Sequence, residues 1–122
     1  ITAEPLMPSP LASILIGAVG GVIVVYGTKL LFSLKIDDVV GAIPAHLFAG
    51  IWGTLAVPIT NSGASFGTQL LGVVSINAFV FIVSFIVWFL MKSTFGIRLS
   101  KEGETKGTDV TETGVIAYAI RD

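Results

Sequence analysis

VVGAIPAHLFAGIWGTLAVPIT, residues 39–60, contains a single ionisable side chain, His46. A run of this length and composition is long enough to cross a hydrocarbon core of roughly 30 Å as a helix of about 20 residues. A second long apolar run precedes it at residues 11–32, where Lys29 is the only charge. A third follows at residues 70–91, uncharged, with Ser75, Asn77 and Ser84 as its clearly polar members. Read as soluble helices, all three would need a polar stripe, and none has one. Buried strands are usually about 3–10 residues long, much shorter than these runs. The expected fold class is therefore an all-α membrane protein with three transmembrane helices, over about residues 11–32, 39–60 and 69–92.

Composition agrees with that class. The chain is 53% hydrophobic and 12% charged, with a mean hydropathy of +0.91; a soluble domain is about a quarter charged. A net charge of −1 without any dense basic block gives no footprint for nucleic acid. There is no cysteine, so neither disulfides nor thiolate metal sites arise. The chain opens ITAEPLMPSP, without an initiator Met or the charged start of a signal peptide, which reads as the interior of a longer protein. Fourteen glycines in so apolar a chain suit closely packed membrane helices.

Lys and Arg set the expected orientation. Lys29 and Lys35 flank the first connection, and Lys92, Arg98, Lys101, Lys106 and Arg121 lie at or beyond the end of the third run. Residues 1–10 and 61–68 carry none. Three spans put both basic sets on one side. Residues 1–10 are then extracytoplasmic, residues 11–95 hold the helices, and residues 96–122 form a cytoplasmic C-terminal tail. Within that tail the apolar patch of residues 115–120 argues for docking onto protein, because a freely disordered segment is low in hydrophobicity.

An ionisable side chain at bilayer depth is expensive, and it marks a functional site by default. His46 lies about 12 Å along a helix from Asp38, near mid-membrane. Small residues recur every fourth position in two adjacent rows: Gly41, Ala45, Ala49 and Gly53 in one, Ala42, His46, Gly50 and Thr54 in the other. Such rows let helix backbones approach closely. Ala42, Gly50, Gly53 and Thr54 are the expected packing residues around the imidazole, with Trp52 and Leu47 projecting elsewhere. Pro44 removes a backbone donor two positions before the histidine. Two readings stand. In one, His46 hydrogen-bonds across a helix interface, an interaction averaging about 0.6 kcal/mol. In the other, a neutral imidazole lines a narrow path, donating one hydrogen bond and accepting another.

Asp37 and Asp38 are expected to cap the second helix and complement its dipole. Asn77 is expected to tie helices together. A metal site needs three or four protein ligands, and the membrane interior of this chain offers one. No serine pairs with a base and a lone histidine makes no triad, so the chain does not read as an enzyme, and no cofactor motif is present.

The stretch IDDVVGAIPAHLFAGIWGTL, residues 36–55, resembles a signature of the ammonium transporter (Amt) family within the Amt/Rh superfamily, through Asp37, Asp38, His46, Gly50 and Gly53. FGTQLL at 66–71 is similar to the start of that family's last helix, GIRLS at 96–100 to its cytoplasmic end, and GTDVTETGVIAY at 107–118 to its cytosolic tail. The resemblance implies the C-terminal portion of an eleven-helix fold, comprising its last three helices, in a homotrimer with one pore per subunit. It implies ammonium or ammonia transport across the plasma (inner) membrane, through a twin-histidine pore to which this chain supplies His46; the partner histidine belongs to a helix upstream. A PII-type regulatory protein is an implied partner at the tail. Gly41, Leu47, Thr113 and Val115 depart from residues that family members carry at these positions. Two other functions are compatible with the same residues. One is a membrane ammonium sensor with a signalling domain beyond the C-terminus; the other is a structural segment inactive by itself.

Overall fold

The structure, a computed structural model, describes residue 1 and residues 4–117. Helix α1 spans Pro10–Ser33, α2 spans Ile43–Thr60, α3 spans Phe66–Thr94 and the short α4 spans Lys101–Lys106. The described residues form no strand. The first three helices are each long and apolar enough to cross a membrane. Two compact parts divide the chain, Ile1–Phe79 and Val80–Asp122.

In the first part, α1 starts where Ser9 caps it, its hydroxyl accepting from the Ala12 amide at 3.3 Å. Pro10 stands at the first position, where the missing N–H costs nothing. At its other end the Lys35 amide donates to Phe32 O at 3.1 Å and the Ile36 amide to Leu31 O at 3.0 Å. Lys35 sits between them at φ 56°, the left-handed conformation that this paired closure of a helix requires.

Helix α2 starts at Ile43, later than the residue 39 expected from hydropathy. Two local causes are visible. Gly41 turns the chain at φ 68°, a conformation its lack of a side chain permits. The Asp38 carboxylate then accepts from the first free amides, Ala42 N to Oδ1 and Ile43 N to Oδ2, both at 2.8 Å. Residues Ile43–Phe48 form a π-helical turn before the helix tightens to α geometry over Ala49–Thr60. The Ala49 amide reaches back five residues to Pro44 O. Pro44 stands in the first turn, where its missing amide is tolerated, and the widened turn closes on its carbonyl.

The core of this part is the α1–α2 interface. Leu31, Pro44, Ala49, Ala56 and Val57 are buried. Gly27 of α1 lies so close to α2 that a Cβ there would stand 2.7 Å from the Phe48 ring and 3.1 Å from Pro44 Cβ. The Trp52 indole crosses to α1 and donates to Ile16 O at 3.0 Å. Farther along, the Asn61 amide donates to Glu4 Oε2 at 2.9 Å, while its own oxygen accepts from Gly63 N at 2.9 Å to shape the turn after α2. No residue of α3 is buried, so its apolar surface is free for lipid or for other protein.

In the second part, Phe81, Phe85 and Phe89 stack in succession along α3 at 6.2 Å spacing. Ser100 caps α4, accepting from Gly103 N at 3.1 Å. Arg98 pairs with Glu104 at 2.8 Å, and Lys106 with Glu102 at 2.7 Å. Gly103 is buried under Thr111, whose methyl group would lie 3.1 Å from a Cβ there. A π-helical turn over Asp109–Thr113 follows, ending on Gly114 at φ 70°. Asp109 Oδ2 then accepts from Ala117 N at 2.8 Å. The tail therefore carries hydrogen-bonded structure of its own. Val115 and Ile116, which open the apolar patch, are exposed; residues 118–120 of that patch and Arg121 lie outside the described residues.

Candidate functional site

His46 stands inside the π-helical turn of α2, the kind of irregularity that recurs at functional sites. Its side chain opens on a hollow of about 300 Å³ between α2 and α3. From α2 the hollow is lined by His46, Leu47, Gly50, Ile51 and Thr54, and from α3 by Gln69, Gly72, Val73, Ile76 and Asn77. His46 makes no hydrogen bond to any described residue, so both ring nitrogens remain available.

The rest of the lining is apolar except for three polar groups, each with an oxygen that can accept a hydrogen bond. Thr54 donates its hydroxyl to Gly50 O at 3.0 Å, which leaves the oxygen's lone pairs free. Asn77 donates its amide to Val73 O at 2.7 Å, which leaves its carbonyl oxygen free. Gln69 adds a second side-chain amide, which carries N–H donors as well as an acceptor. Pro58, one turn after Thr54, cannot return a donor to the Thr54 carbonyl. Such a surface suits a small species that brings N–H or O–H donors of its own and moves through apolar surroundings.

The two small-residue rows have different uses. Gly50 and Thr54 line the hollow with His46, and a Cβ on Gly50 would meet no atom within 4 Å. Ala49 and Gly53 instead face the packed side; a Cβ on Gly53 would fall 2.6 Å from Ile1 O. Gly53 thus packs away from the imidazole rather than around it, and Ala42 serves as the residue before the helix, exposed and bonded to Asp38. Trp52 turns toward α1, but Leu47 shares the hollow with His46. Asn77 is bonded within its own helix and not across to α2. Of the acidic pair, Asp38 holds the start of α2, while Asp37 makes no hydrogen bond among the described residues. Sequence reasoning did not reach Gln69, whose place in the lining depends on how α3 stands beside α2.

The described residues hold no cluster of three or more metal-ligating side chains. The groups with displaced ionisation all lie in the tail. Arg98 hydrogen-bonds Glu104 and holds its carboxyl below the usual range. That carboxylate in turn raises the guanidinium. Asp109 is lowered by the amides of Ala117 and then Val110, which bond its carboxylate.

Three membrane-length helices and a polar-lined hollow beside a histidine in the first turn of α2 define an all-helical, multi-pass membrane protein. The model of the Ammonium Transporter Family matches residues 1–118. The chain belongs to that family, the one residues 36–55 resemble. It is 33% identical to the ammonium transporter Amt2 of Archaeoglobus fulgidus over 97% of its own length and 30% of that protein's. It is 40% identical to the putative ammonium transporter sll1017 of Synechocystis over 84% of its length and 24% of the relative's. With the ammonium transporter Amt1 of Haloferax mediterranei the identity is 37%, over 86% and 21%. The chain therefore spans less than a third of the length of these curated relatives.

Proposed function

We propose that this chain supplies the last three membrane helices and the cytoplasmic tail of an ammonium transporter of the plasma membrane, and that His46 lines its conduction path. The observation that carries this reading is the imidazole in the π-helical turn, without a hydrogen-bond partner among the described residues, facing a hollow that also holds the Thr54 hydroxyl and the Asn77 and Gln69 amides. Family membership supplies the substrate class.

The chemistry follows from the cost of moving charge through an apolar passage. An ion stripped of water without compensation is prohibitive in a low-dielectric medium, so a conducted ammonium must shed its proton or exchange hydration for fixed polar groups. A neutral imidazole does both kinds of work. One ring nitrogen accepts a hydrogen bond from the nitrogen species, and the other donates onward or relays a proton. On this reading the second histidine of the pore comes from a helix upstream of Ile1, the molecule is a homotrimer, and the ends bearing Lys35 and Lys92 face the cytoplasm, where a PII-type protein can reach the tail.

The test is ammonium flux in proteoliposomes carrying the full-length protein. His46→Ala is expected to lower flux at least several-fold or to admit other cations, while trimers still form on size-exclusion chromatography. Flux and selectivity equal to wild type would remove His46 from the path.

A further inference from the structure

A second polar hollow lies at the other end of the α1–α2 pair, far along α2 from His46. It measures about 220 Å³, and its lining includes Glu4, Ser13, Ile16, Val57 and Thr60. Glu4 is the only charged residue from residue 1 to residue 28, and no Lys, Arg, Asp or Glu occurs between residues 39 and 91. The end of the helices where Glu4 stands therefore carries one charge in this chain, and it is negative. Its side chain is only partly exposed, and it takes part in neither of the two ion pairs among the described residues.

The carboxylate is held in place. Oε2 accepts from Asn61 Nδ2 at 2.9 Å, and Asn61 is itself fixed by the turn it forms with Gly63. Among the described residues this neutral amide is the only side-chain donor to Glu4, which leaves most of the carboxylate's acceptor capacity unused and its charge without a cationic partner there. A carboxylate drawn partly out of water among Ile16, Val57 and prolines is costly without a positive partner. Two hydroxyl oxygens share the hollow. Ser13 makes no side-chain hydrogen bond to a described residue, and Thr60 donates only a long bond of 3.5 Å to Val57 O.

We infer that Glu4, with the hydroxyls of Ser13 and Thr60, forms a binding site for a small monovalent cation, distinct from the His46 hollow. One negative charge matches one positive charge, whereas divalent ions of the calcium type gather six to eight oxygens and usually several carboxylates. The volume admits a small cation with part of its hydration shell, since a water occupies about 30 Å³. Ammonium and the alkali cations share this chemistry. Ammonium's inclusion rests on the proposed transport function; the site itself does not.

The experiment is thermal unfolding of the full-length protein in detergent, in ammonium, potassium, sodium or choline chloride at equal ionic strength. A bound small cation stabilises the folded state by mass action, whereas choline has no N–H donor and its methyl groups keep its charge away from oxygen ligands. The expected result is a higher Tm in at least one small-cation salt than in choline chloride. Glu4→Gln, which retains an oxygen for Asn61, should abolish that difference; Ser13→Ala should diminish it, and His46→Ala should leave it intact. A rise in ammonium alone identifies a site that reads hydrogen-bond donors, and a rise in all three small cations identifies a site that reads charge and size. Equal Tm in all four salts would overturn the inference, as would a difference that survives Glu4→Gln or vanishes in His46→Ala. Should Glu4→Gln fail to fold, an undiminished difference in Ser13→Ala overturns it. Failure of the pore reading shows instead as unchanged flux in His46→Ala, a separate measurement.

Discussion

Helix α2 has two sides built from the same kind of residue, and they do opposite things. On the side toward α1, Ala49, Gly53 and Ala56 are buried, and Gly27 across the interface has no room for a side chain. On the side toward α3, Gly50 has open space around it and Thr54 lines a hollow of about 300 Å³. Small residues at every fourth position signal close helix approach in membranes. Here that rule holds for one row. In the adjacent row the missing side chains leave space beside His46 instead of contact.

The contrast can be broken most directly by adding atoms to each side. Gly27→Val should destabilise the full-length protein by about 1–3 kcal/mol, the usual cost of overpacking, because the Phe48 ring and Pro44 both stand in the way. Gly50→Ala meets nothing and removes a helical glycine, so it should be neutral or stabilising by up to about 1 kcal/mol. Thermal unfolding in detergent measures both. Equal destabilisation would mean that the two rows pack alike.

A smaller effect should sharpen how α2 is aimed. Asp38 takes the amides of Ala42 and Ile43, so Asp38→Ala should cost about 0.5–2 kcal/mol, as the loss of a helix cap does. The same change at Asp37 should fall within about 0.5 kcal/mol, the range of ordinary surface substitutions. The Tm difference between the two variants checks this.

The smallest effect belongs to the tail. Glu104 and Asp109 have folded pKa values below their unfolded ones. Their contribution is complete above the unfolded carboxylate range and is lost as pH falls through the lowered folded values. The protection factor of the Ala117 amide, which bonds Asp109, should therefore be constant near neutrality and should drop only as pH falls below about 4. Protection that declines between pH 7 and 5 would contradict the assigned bonds.

The three apolar helices were legible because hydropathy over about 20 residues is a property of composition, and nothing local can hide it. The start of α2 was less so. Residues 39 and 40 are as apolar as the helix they precede, and only the left-handed Gly41 and the reach of Asp38 exclude them. Pro44 signalled an irregularity but not its form, because a proline is compatible with a kink, a break or a widened turn. His46 was conspicuous as the sole ionisable group in its span. Its neighbours were half legible: a period of four places Gly50 and Thr54 beside it, whereas Gln69 and Asn77 come from α3 and depend on tertiary arrangement. That period puts Gly53 and Gly50 in different rows, but small side chains in both rows gave no sign of which row packs and which stays open. The Glu4–Asn61 bond joins positions 57 residues apart and leaves no trace in local pattern.

The central claim is that the His46 side of α2 is kept open for passage. It is tested most directly by ammonium flux through proteoliposomes of the full-length Gly50→Leu protein, taken from its folded size-exclusion peak. Leucine at this position projects into the hollow lined by His46, Thr54 and Asn77 without touching the α1 interface. Flux should fall at least several-fold at an unchanged or slightly altered Tm. Wild-type flux with leucine in place would mean that the hollow beside His46 is not the path.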